Sequence, residues 1–513
     1  NGGSYIRSCF AHEPARLEVA LLGMQGLGKP GANQFKFMEW TLYGIPTVAL
    51  IADKDASVLL PAYRGWYRSF PDSFIPKTMI PEAIMNPPIQ WYGHLSAGMP
   101  RPDQFNGPFT FPLEGNERLH MIWSDSPCWE TCWNGGNAMQ DALRDPSIEF
   151  VIIQHPWLEN DCYFADIILP TNTKFETEDI GTDNDNGQWT LVYYEQQAIQ
   201  PRMESMSDME AVGEVAKKLE RYGGIYENLY ERYMGGKTCE EYMRAGFENT
   251  GAAQKMDFEE FKEKQYYAFP TKKDWQDMPA GLIGFYEDPE ANPLSTPSGK
   301  LEYYSTSLAQ AFPDDKERGP IPHWIDRGAG HEERQYLERG RRYPFLLVSN
   351  HPRWRVHANL DDVTWFREME EYVKVTGPDG YKYEPVWVHP KDAGKLGLES
   401  GDIVRIYNER GSVMGGVRVT ERIMPGAISQ DHGARVDGIV LGTGGLDRGG
   451  ANNLIAPTAT TSRHAAGEVT SGFLVNIEKV DVFALAERYP EAFGRPYDPD
   501  CGLIASSRLV GEE

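Results

Sequence analysis

The last third of the chain consists largely of short apolar runs that are separated by turns. Residues 386–406 begin with Val-Trp-Val, pass through one helical turn to Gly397, and end in the run Asp-Ile-Val-Arg-Ile. Runs of this composition between clusters of Gly, Asn and Asp predict strands joined by tight turns. Because such strands dominate residues 343–480, this part is predicted to be a β-barrel domain.

The region before the barrel alternates between strands and helices. Residues 137–143 predict a helix, and so do residues 208–222, with Ser207 as N-cap. Strands alternating with helices form parallel sheets, and nucleotides bind at the carboxyl ends of such strands. The strands are predicted at residues 120–124, 149–153 and 165–170.

The N-terminal part is less regular. Residues 14–23 predict a short helix, and the Gly-rich stretch after them cannot continue it. Residues 35–115 are rich in Pro, Tyr, Trp and Phe and predict long loops and short helices over a cleft. The predicted fold class is α/β with a C-terminal β-barrel. Its parts are a helix, loop and cleft segment, an α/β domain with a helical insert, the barrel and a tail, at residues 1–115, 116–342, 343–480 and 481–513.

The composition argues against several classes of function. The 513 residues carry a net charge of −25, and an acidic surface repels phosphate backbones and anionic lipids. No stretch reaches the ~18 uninterrupted apolar residues of a membrane span. We therefore expect neither a nucleic-acid partner nor a membrane span.

The six cysteines are too sparse for a disulfide framework and indicate free thiols in a reducing compartment. Cys128 and Cys132 lie four residues apart, which invites a metal-binding interpretation. No second Cys pair or His pair lies nearby at ligand spacing, so free thiols are favoured and no metal ligand is named.

Two motif segments lie in the first half of the chain. The first is the loop Gly23-Met-Gln-Gly-Leu-Gly-Lys-Pro-Gly31, whose composition also suits an ordinary turn at the end of a helix. The second runs from the strand at 149–153 through Ala165-Asp-Ile-Ile-Leu-Pro170 to an acidic turn that contains Gly181. Acidic surface in an acidic protein is the alternative interpretation of that turn.

Two further segments lie in the barrel region. Residues 349–359 read Ser-Asn-His-Pro-Arg-Trp-Arg-Val-His-Ala-Asn, where His, Arg and Trp can donate hydrogen bonds to a ligand. Residues 449–455 read Gly-Gly-Ala-Asn-Asn-Leu-Ile. For residues 349–359, the alternative is a loop whose histidines are hydrogen-bonded within the protein. For residues 449–455, the alternative is a Gly-rich turn before a strand.

In this order, the four segments resemble the motifs of the molybdopterin oxidoreductases, the dimethyl sulfoxide reductase superfamily. The resemblance covers nearly the whole chain. It implies a partial α/β cofactor-binding domain and a double-psi-type barrel that caps a bis-(molybdopterin guanine dinucleotide) cofactor with molybdenum or tungsten. Large subunits of this family are longer, so the chain resembles their C-terminal portion.

One branch of the family is most similar. Residues 75–85 followed by Trp91, residues 204–208 and residues 408–413 resemble the large subunits of pyrogallol–phloroglucinol transhydroxylases, and that branch also resembles catechol dehydroxylases. Both act on vicinal hydroxyls of aromatic rings. The aromatic-rich residues 35–115 would suit a planar substrate by stacking.

The resemblance implies cofactor contacts of three kinds. Gly permits close backbone approach, a carboxylate can accept two hydrogen bonds from a guanine edge, and Asn suits the pyrimidine edge of a pterin. The implied cofactor-binding residues are Gly26, Lys29, Gly31, Asn33, Gln154, Glu159, Asp179, Gly181, Asn350, His351, Arg353, Arg355, His357, Asn452 and Asn453. The catalytic candidates are His351, Arg355 and His357.

The function implied by the resemblance is transhydroxylation or reductive dehydroxylation of polyhydroxylated aromatics of the pyrogallol or catechol type in an anaerobe. An iron–sulfur small subunit is the implied partner, and the cytoplasm is the expected compartment. The alternatives are another molybdopterin oxidoreductase activity, such as reduction of a small oxo-compound or formate oxidation, and a non-catalytic cofactor scaffold.

Overall fold

The N-terminal helix leads into a loop whose glycines adopt positive φ values. In the computed structural model, helix α1 spans His12–Met24, close to the prediction, and Gly26 and Gly31 after it have φ values of +89° and +85°. The structure describes residues 7–32, 74–92, 108–182, 191–277, 281–361, 363–367 and 374–498, with the backbone of Thr41–Leu42 and Ile45–Pro46.

The described part of the aromatic-rich region is packed rather than open. Strands Ile89–Trp91 and Phe109–Phe111 pair antiparallel beside the helix Ile80–Met85. Trp91 and Phe111 are buried with Ile89 in one apolar cluster. The predicted cleft over residues 35–115 lies mostly outside the described residues.

The predicted parallel sheet is confirmed. Strand β1 (Met121–Ser124) pairs with β2 (Phe150–His155), which pairs with β3 (Ile167–Pro170), and both pairings are parallel. Two helices follow β1 along the chain, α2 at Trp129–Cys132 and α3 at Gly136–Leu143. Burial alternates along β1, with Ile122 and Ser124 buried, whereas Val151, Ile152 and Ile153 of the central strand β2 are all buried, so both faces of that strand are covered.

A second sheet corrects one detail of the sequence analysis. Asp179 and Gly181 were expected in a turn, but Asp179–Thr182 is a strand that pairs antiparallel with Leu191–Glu195. Tyr266–Ala268 forms the other edge of this sheet. The strand is favoured because Ile180 is buried in the cluster of Val192 and neighbouring apolar residues.

The helical insert contains the predicted helix, Asp208–Leu219, which continues as a 3₁₀ turn to Tyr222. Its N-cap Ser207 forms a capping box with Glu210, as the side chains of both residues bond to each other's backbone N–H. Other helices of the described residues span Leu229–Met234, Cys239–Glu248, Phe258–Lys264, Ile283–Glu287, Thr306–Ala311, Glu338–Arg342, Thr364–Arg367, Pro390–Leu396, Val482–Arg488 and Pro490–Phe493.

The predicted C-terminal β-barrel is confirmed as a closed barrel of six strands. They are β4 (Phe345–Val348), β5 (Pro385–Val388), β6 (Ile403–Asn408), β7 (Gly411–Val419), β8 (Ala427–Gln430) and β9 (Phe473–Lys479). The order is β5-β8-β4-β9-β6-β7, and a parallel pairing of β5 with β7 closes it. Its interior holds Leu347, Val386, Ile406, Ile428 and Val475, each without measurable exposure.

Short strand pairs extend the barrel region. Gly438–Val440 and Gly445–Asp447 add to the edge of β7, Val375–Thr376 pairs with Lys382–Tyr383, and Thr460–Ser462 pairs with Ala465–Glu468. Within the described residues, no helix is long and apolar enough to cross a membrane.

Candidate functional site

Three histidines meet at one end of the barrel, and we call His351, His357 and His432 the imidazole cluster. The rings of His351 and His432 stack at 4.7 Å between centroids, and Nδ1 of His357 lies 2.9 Å from Nε2 of His432. Nδ1 of His432 lies 3.2 Å from Oδ1 of Asn453, which can only accept. His432 therefore carries its hydrogen on Nδ1, and its Nε2 accepts from His357.

Strand pairing brings these residues together. Strands β4 and β8 are parallel neighbours, so the loops that follow them leave the barrel at the same end. The N–H of His432 donates to the carbonyl of Asn350 at 2.9 Å. The side-chain amide of Asn350 in turn donates to Oγ of Ser429 at 3.2 Å, so the predicted Asn350 fastens one loop to the other.

Backbone geometry at two positions allows the loops to touch. His357 has a φ of +53°, a left-handed conformation in which His is more common than most side chains. Gly433 has a φ of +84°, and a Cβ there would lie 1.8 Å from the carbonyl oxygen of His357. A glycine beside His432 is therefore needed for close backbone contact.

Asn452 and Asn453 lie next to the imidazole cluster, in the 3₁₀ helix Asn452–Ile455. The Asn452 amide donates to the carbonyl of Gln430 at 2.7 Å, and the Asn453 amide donates to the carbonyl of Trp133 at 2.8 Å. Both asparagines are fully buried. Their predicted contact with a pterin stays a prediction, since these bonds are within the protein.

The predicted catalytic Arg355 is enclosed by the protein. Its Nη1 donates to Asp361 at 2.7 Å and to Glu384 at 2.9 Å, its Nε donates to the carbonyl of His432 at 2.8 Å, and its side chain is not exposed. Lys374 contacts the same two carboxylates. Burial would raise the pKa of Glu384, but Arg355 and Lys374 hold it below its usual value.

The imidazole cluster is neutral near pH 7. Burial lowers the pKa of His351 and His357, and for His432 burial together with the two neighbouring imidazoles lowers the pKa to about 3. The positive charges of Arg7 and Lys77 lower the pKa of His357 further. Neutral imidazoles can accept a proton, bind a metal or hydrogen-bond to a ligand.

Two cations and one carboxyl group lie beside the imidazole cluster. Nζ of Lys77 is 4.7 Å from the centre of the Trp133 ring, and Nε of Arg7 is 4.0 Å from Oε2 of Glu468. Burial raises the pKa of Glu468, and Arg7 and Lys77 oppose that rise. The surroundings of the imidazole cluster are therefore electropositive, in contrast to the acidic chain as a whole.

Three buried amide oxygens near the imidazole cluster accept no hydrogen bond among the described residues: Oδ1 of Asn134, Oδ1 of Asn359 and Oε1 of Gln430. A buried acceptor without a partner costs about 1–3 kcal/mol. Asn134 adjoins Trp133, and the other two lie within two residues of His357 and His432. Because pterin and guanine rings carry N–H donors, these acceptors fit a pterin guanine dinucleotide.

Other residues that were predicted to bind the cofactor are not members of the imidazole cluster. In the glycine loop, a Cβ on Gly28 would meet Leu282 at 2.1 Å and Tyr286 at 3.0 Å. Gly31 has open space around it, Lys29 and Arg353 are exposed, and Asn33 lies outside the described residues. Their roles as cofactor ligands stay predictions.

Gln154 and Glu159 lie at and just after the carboxyl end of β2, as predicted. Gln154 accepts from Nε1 of Trp123 at 3.0 Å and donates to Asp208 at 2.7 Å. Both carboxylate oxygens of Glu159 accept from the guanidinium of Arg435, which comes from the barrel region. Guanine recognition by Glu159 therefore stays a prediction.

Asp179 and Gly181 lie on the antiparallel sheet rather than on the parallel one. The Asp179 carboxylate is half exposed and lies 3.5 Å from Nζ of Lys174. A Cβ on Gly181 would lie 2.5 Å from the ring of Tyr193, so a larger residue there would displace that ring. Their predicted role as cofactor ligands stays a prediction.

Sequence reasoning missed Cys132, Asp431 and His432 as members of this site. Asp431 and His432 directly follow the buried strand β8, and polar residues in that position were a usable signal. Burial raises the pKa of Asp431 to about 6. Cys132 could not be found by ligand spacing, because its histidine neighbours come from distant parts of the chain.

Two family models match the chain in the regions that form this site. Residues 117–218 match the molybdopterin oxidoreductase family, and residues 345–470 match the molydopterin dinucleotide binding domain. These regions contain the parallel sheet and most of the barrel. The chain belongs to the molybdopterin oxidoreductases, and the two domains imply molybdenum with molybdopterin guanine dinucleotide as cofactor.

Two individual proteins of the family are similar to most of this chain. The pyrogallol hydroxytransferase large subunit of Pelobacter acidigallici is 30% identical over 541 residues, 93% of this chain and 59% of that protein. The dimethyl sulfoxide reductase of Escherichia coli (strain K12) is 30% identical over 71% of this chain and 42% of that protein. The chain thus spans between two fifths and three fifths of these relatives.

A solved structure, acetylene hydratase from Pelobacter acetylenicus, gives a TM-score of 0.49 with 16% identity, over 72% of this chain and 45% of that one. The family assignment rests on the sequence matches.

Proposed function

We propose that the chain is part of a molybdenum enzyme that moves or removes hydroxyl groups on polyhydroxylated aromatic rings. The observation that carries the proposal is the similarity to a pyrogallol hydroxytransferase large subunit over 93% of this chain, against 71% for the dimethyl sulfoxide reductase. A similarity over 93% of the chain extends beyond residues 117–218 and 345–470, which the two family models match.

The chain's own residues suit a phenolic substrate. Lys77, which lies over the ring of the buried Trp133, and Arg7 would stabilise negative charge on a ring oxygen. The neutral imidazoles of His351 and His357 would accept or return the hydroxyl proton. The metal centre, when bound, supplies a two-electron reservoir and a Lewis acid.

The cofactor is proposed to be the bis-(molybdopterin guanine dinucleotide) form, with molybdenum or tungsten. The buried acceptors on Asn134, Asn359 and Gln430 would receive N–H groups of pterin or guanine. The similar hydroxytransferase is named a large subunit, which supports a smaller partner, and we propose an iron–sulfur subunit. A cytoplasmic location stays a prediction.

Reduction of a small oxo-compound is the second candidate function. It is favoured by the dimethyl sulfoxide reductase and by the trimethylamine-N-oxide reductase of Haemophilus influenzae, which is 30% identical over 68% of this chain. The two candidates differ in substrate but share the cofactor, so the same purified protein can decide between them.

The test is to purify the protein anaerobically with whatever copurifies and to measure molybdenum, tungsten and released guanine nucleotide. We expect about one metal and two guanine nucleotides per chain. Pyrogallol and catechols should be converted, and a Lys77→Met variant should turn over at least about tenfold more slowly, while the exposed control Lys391→Met should not.

Reduction of dimethyl sulfoxide without conversion of any aromatic would favour the second candidate. Absence of both metal and nucleotide would contradict both candidates and favour a non-catalytic scaffold.

A further inference from the structure

Two buried carboxyl groups contact each other behind the candidate site. Glu130 lies in helix α2, and Asp161 lies in the 3₁₀ helix Asn160–Phe164. The two side chains are within hydrogen-bonding contact, and the residues are 1% and 3% exposed. Because an ionised carboxylate can only accept, this contact requires a hydrogen on one of the two groups.

The neighbouring donors show which group carries that hydrogen. Oε2 of Glu130 accepts from the side-chain amide of Gln140, whereas Oε1 has no donor among the described residues. The oxygens of Asp161 accept one N–H each, from Trp129 at 2.7 Å and from Glu130 at 3.2 Å. Backbone donors stabilise an ionised carboxylate, so Asp161 is the acceptor and Glu130 carries the hydrogen.

The charges around the pair also favour a single shared hydrogen. Asp447 adds negative charge next to Glu130, and Arg435, which acts on Asp161, donates to both oxygens of Glu159. Burial, followed by the charge of Asp161, raises the pKa of Glu130 well above its ordinary value. Burial raises the pKa of Asp161 to about 6. Two carboxyl groups in such contact lose their protons in two separate steps.

Further titratable groups face this pair from the elements packed around it. Burial raises the pKa of the Cys162 thiol to about 12 and the pKa of the Cys132 thiol well above its ordinary value. Burial also raises the pKa of Asp447 to about 6, so that this carboxyl is ionised at pH 7. The thiols stay protonated at that pH, and the loss of a proton from the group at higher pH falls on Glu130.

The pair lies at the start of helix α2 and caps it. The N-cap residue of α2 provides no side-chain hydrogen bond, and Asp161 instead accepts from the N–H groups of the first two residues of the helix. The helix leads directly into Trp133, whose ring lies under Lys77, and into Asn134, whose Oδ1 is one of the open acceptors. The pair therefore holds the segment that forms one wall of the candidate site.

We propose that Glu130 and Asp161 share one proton, and that this shared proton fixes helix α2 together with Trp133 and Asn134 after it. Loss of the proton leaves two carboxylates in contact, and their repulsion weakens the cap of the helix. Glu130 and Asp161 are positioning residues, because they act on the site through α2. The inference does not depend on the proposed function, since it concerns the folded chain alone.

The first test measures the shared proton by urea unfolding of the full chain at a series of pH values. An ordinary glutamate ionises near about pH 4.3, so at pH 7 the folded chain should hold about one proton that the unfolded chain releases. Stability then falls as pH rises. In Glu130→Gln the amide can donate to Asp161 without titrating. Around pH 7, the unfolding constant should rise about tenfold more per pH unit in the parent than in Glu130→Gln.

Glu176→Gln is the matched control, because Glu176 is also buried but has its own donors. Its carboxylate accepts from the N–H and the hydroxyl of Thr173 and from the N–H of Arg202. These bonds, those of Thr173 first, lower the pKa of Glu176. This variant should therefore keep the pH dependence of the parent around pH 7, whatever its effect on stability.

The second test reads the position of α2 directly. The rings of Trp129 and Trp133, at the start of the helix and just after its end, stack at 4.8 Å between centroids with an angle of 14° between planes. Stacked indoles give an exciton couplet in circular dichroism, and its loss in Trp129→Phe identifies it. We expect the couplet of the parent to change as pH rises from about 6 to about 9, and that of Glu130→Gln to stay constant.

The proposal is overturned if unfolding of the parent and of Glu130→Gln shows the same pH dependence. It is also overturned if the couplet of the parent stays constant, or if the couplets of both proteins change alike. Should Glu130→Gln fail to fold, Asp161→Asn replaces it in both tests, because its amide would donate to Glu130 and remove the need for a shared proton.

Discussion

At the scale of single residues, Arg355 is a predicted catalytic side chain that the structure places in a buried ion network, and its catalytic role stays a prediction. Its loop of His, Arg and Trp suggested a donor to the cofactor, but its guanidinium is bonded to Asp361, Glu384 and the main chain. Removing one member of a buried ion network leaves the others uncompensated. Arg355 is therefore best placed to hold the loop of His357 against the barrel.

We expect Arg355→Met to lower the free energy of unfolding by about 3–5 kcal/mol, because two buried carboxylates lose a partner. The control Arg405→Met breaks the pair with Glu478, whose side chains are 38% and 46% exposed, and should cost at most about 1 kcal/mol. Urea unfolding of both variants measures the difference. If Arg355→Met unfolds like the parent but loses turnover, Arg355 acts directly in catalysis.

The residue scale also shows how much of the site was predictable. His351, His357, Asn350 and both buried asparagines were found, because polar residues in a loop after a strand are a local signal. Their partners were not found. His432 lies 75 positions after His357, and only the pairing of β4 with β8 brings them together.

At the scale of elements, the sequence predicted the strands of the parallel sheet and of the barrel but not how the barrel strands pair. Apolar runs predict strands from local composition, whereas the closure of the barrel by β5 and β7 depends on contacts across the whole domain. Asp179–Thr182 is a strand in a segment that the sequence analysis had assigned to a turn. Its acidic and glycine residues favour turns locally, and burial of Ile180 in the helical insert decides otherwise.

The contact between the two loops of the imidazole cluster leads to a prediction about Gly433. We expect Gly433→Ala to destabilise the protein by more than about 2 kcal/mol, since the new Cβ would meet the carbonyl of His357 and also occupy a left-handed conformation. The control Gly397→Ala has a φ of +65° and open space, so it should cost only about 1 kcal/mol. Thermal unfolding measures both.

Equal effects of the two glycine variants would mean that the loops can separate without cost. In that case, the close contact of His357 with the loop of His432 would not be needed for stability.

At the scale of the whole molecule, the α/β region and the barrel region are joined by polar contacts. Asn160 accepts from the N–H of Val436 at 3.2 Å, and Gln140 accepts from the N–H of Gly442 at 2.8 Å. The boundary near residue 342 was predicted from composition. The contacts between the two regions were not predicted, because the side chains that pair there are hundreds of residues apart in the sequence.

The ion pair of Glu159 with Arg435 is a further buried contact between these regions, with side-chain exposures of 0% and 10%. In a double-mutant cycle of Glu159→Gln and Arg435→Met, we expect Arg435→Met alone to cost about 3–5 kcal/mol, because it leaves a buried carboxylate unpaired. The double variant should cost less than the sum of the two single variants. Urea unfolding gives the four free energies.

The exposed pair of Lys174 and Glu195, with side-chain exposures of 71% and 27%, is the control and should show a coupling below about 1 kcal/mol. A coupling between Glu159 and Arg435 no larger than this would contradict a structural role for the buried pair. If Glu159→Gln keeps its stability and loses guanine nucleotide, Glu159 binds guanine in the loaded protein. Arg435 then changes partner when the cofactor binds.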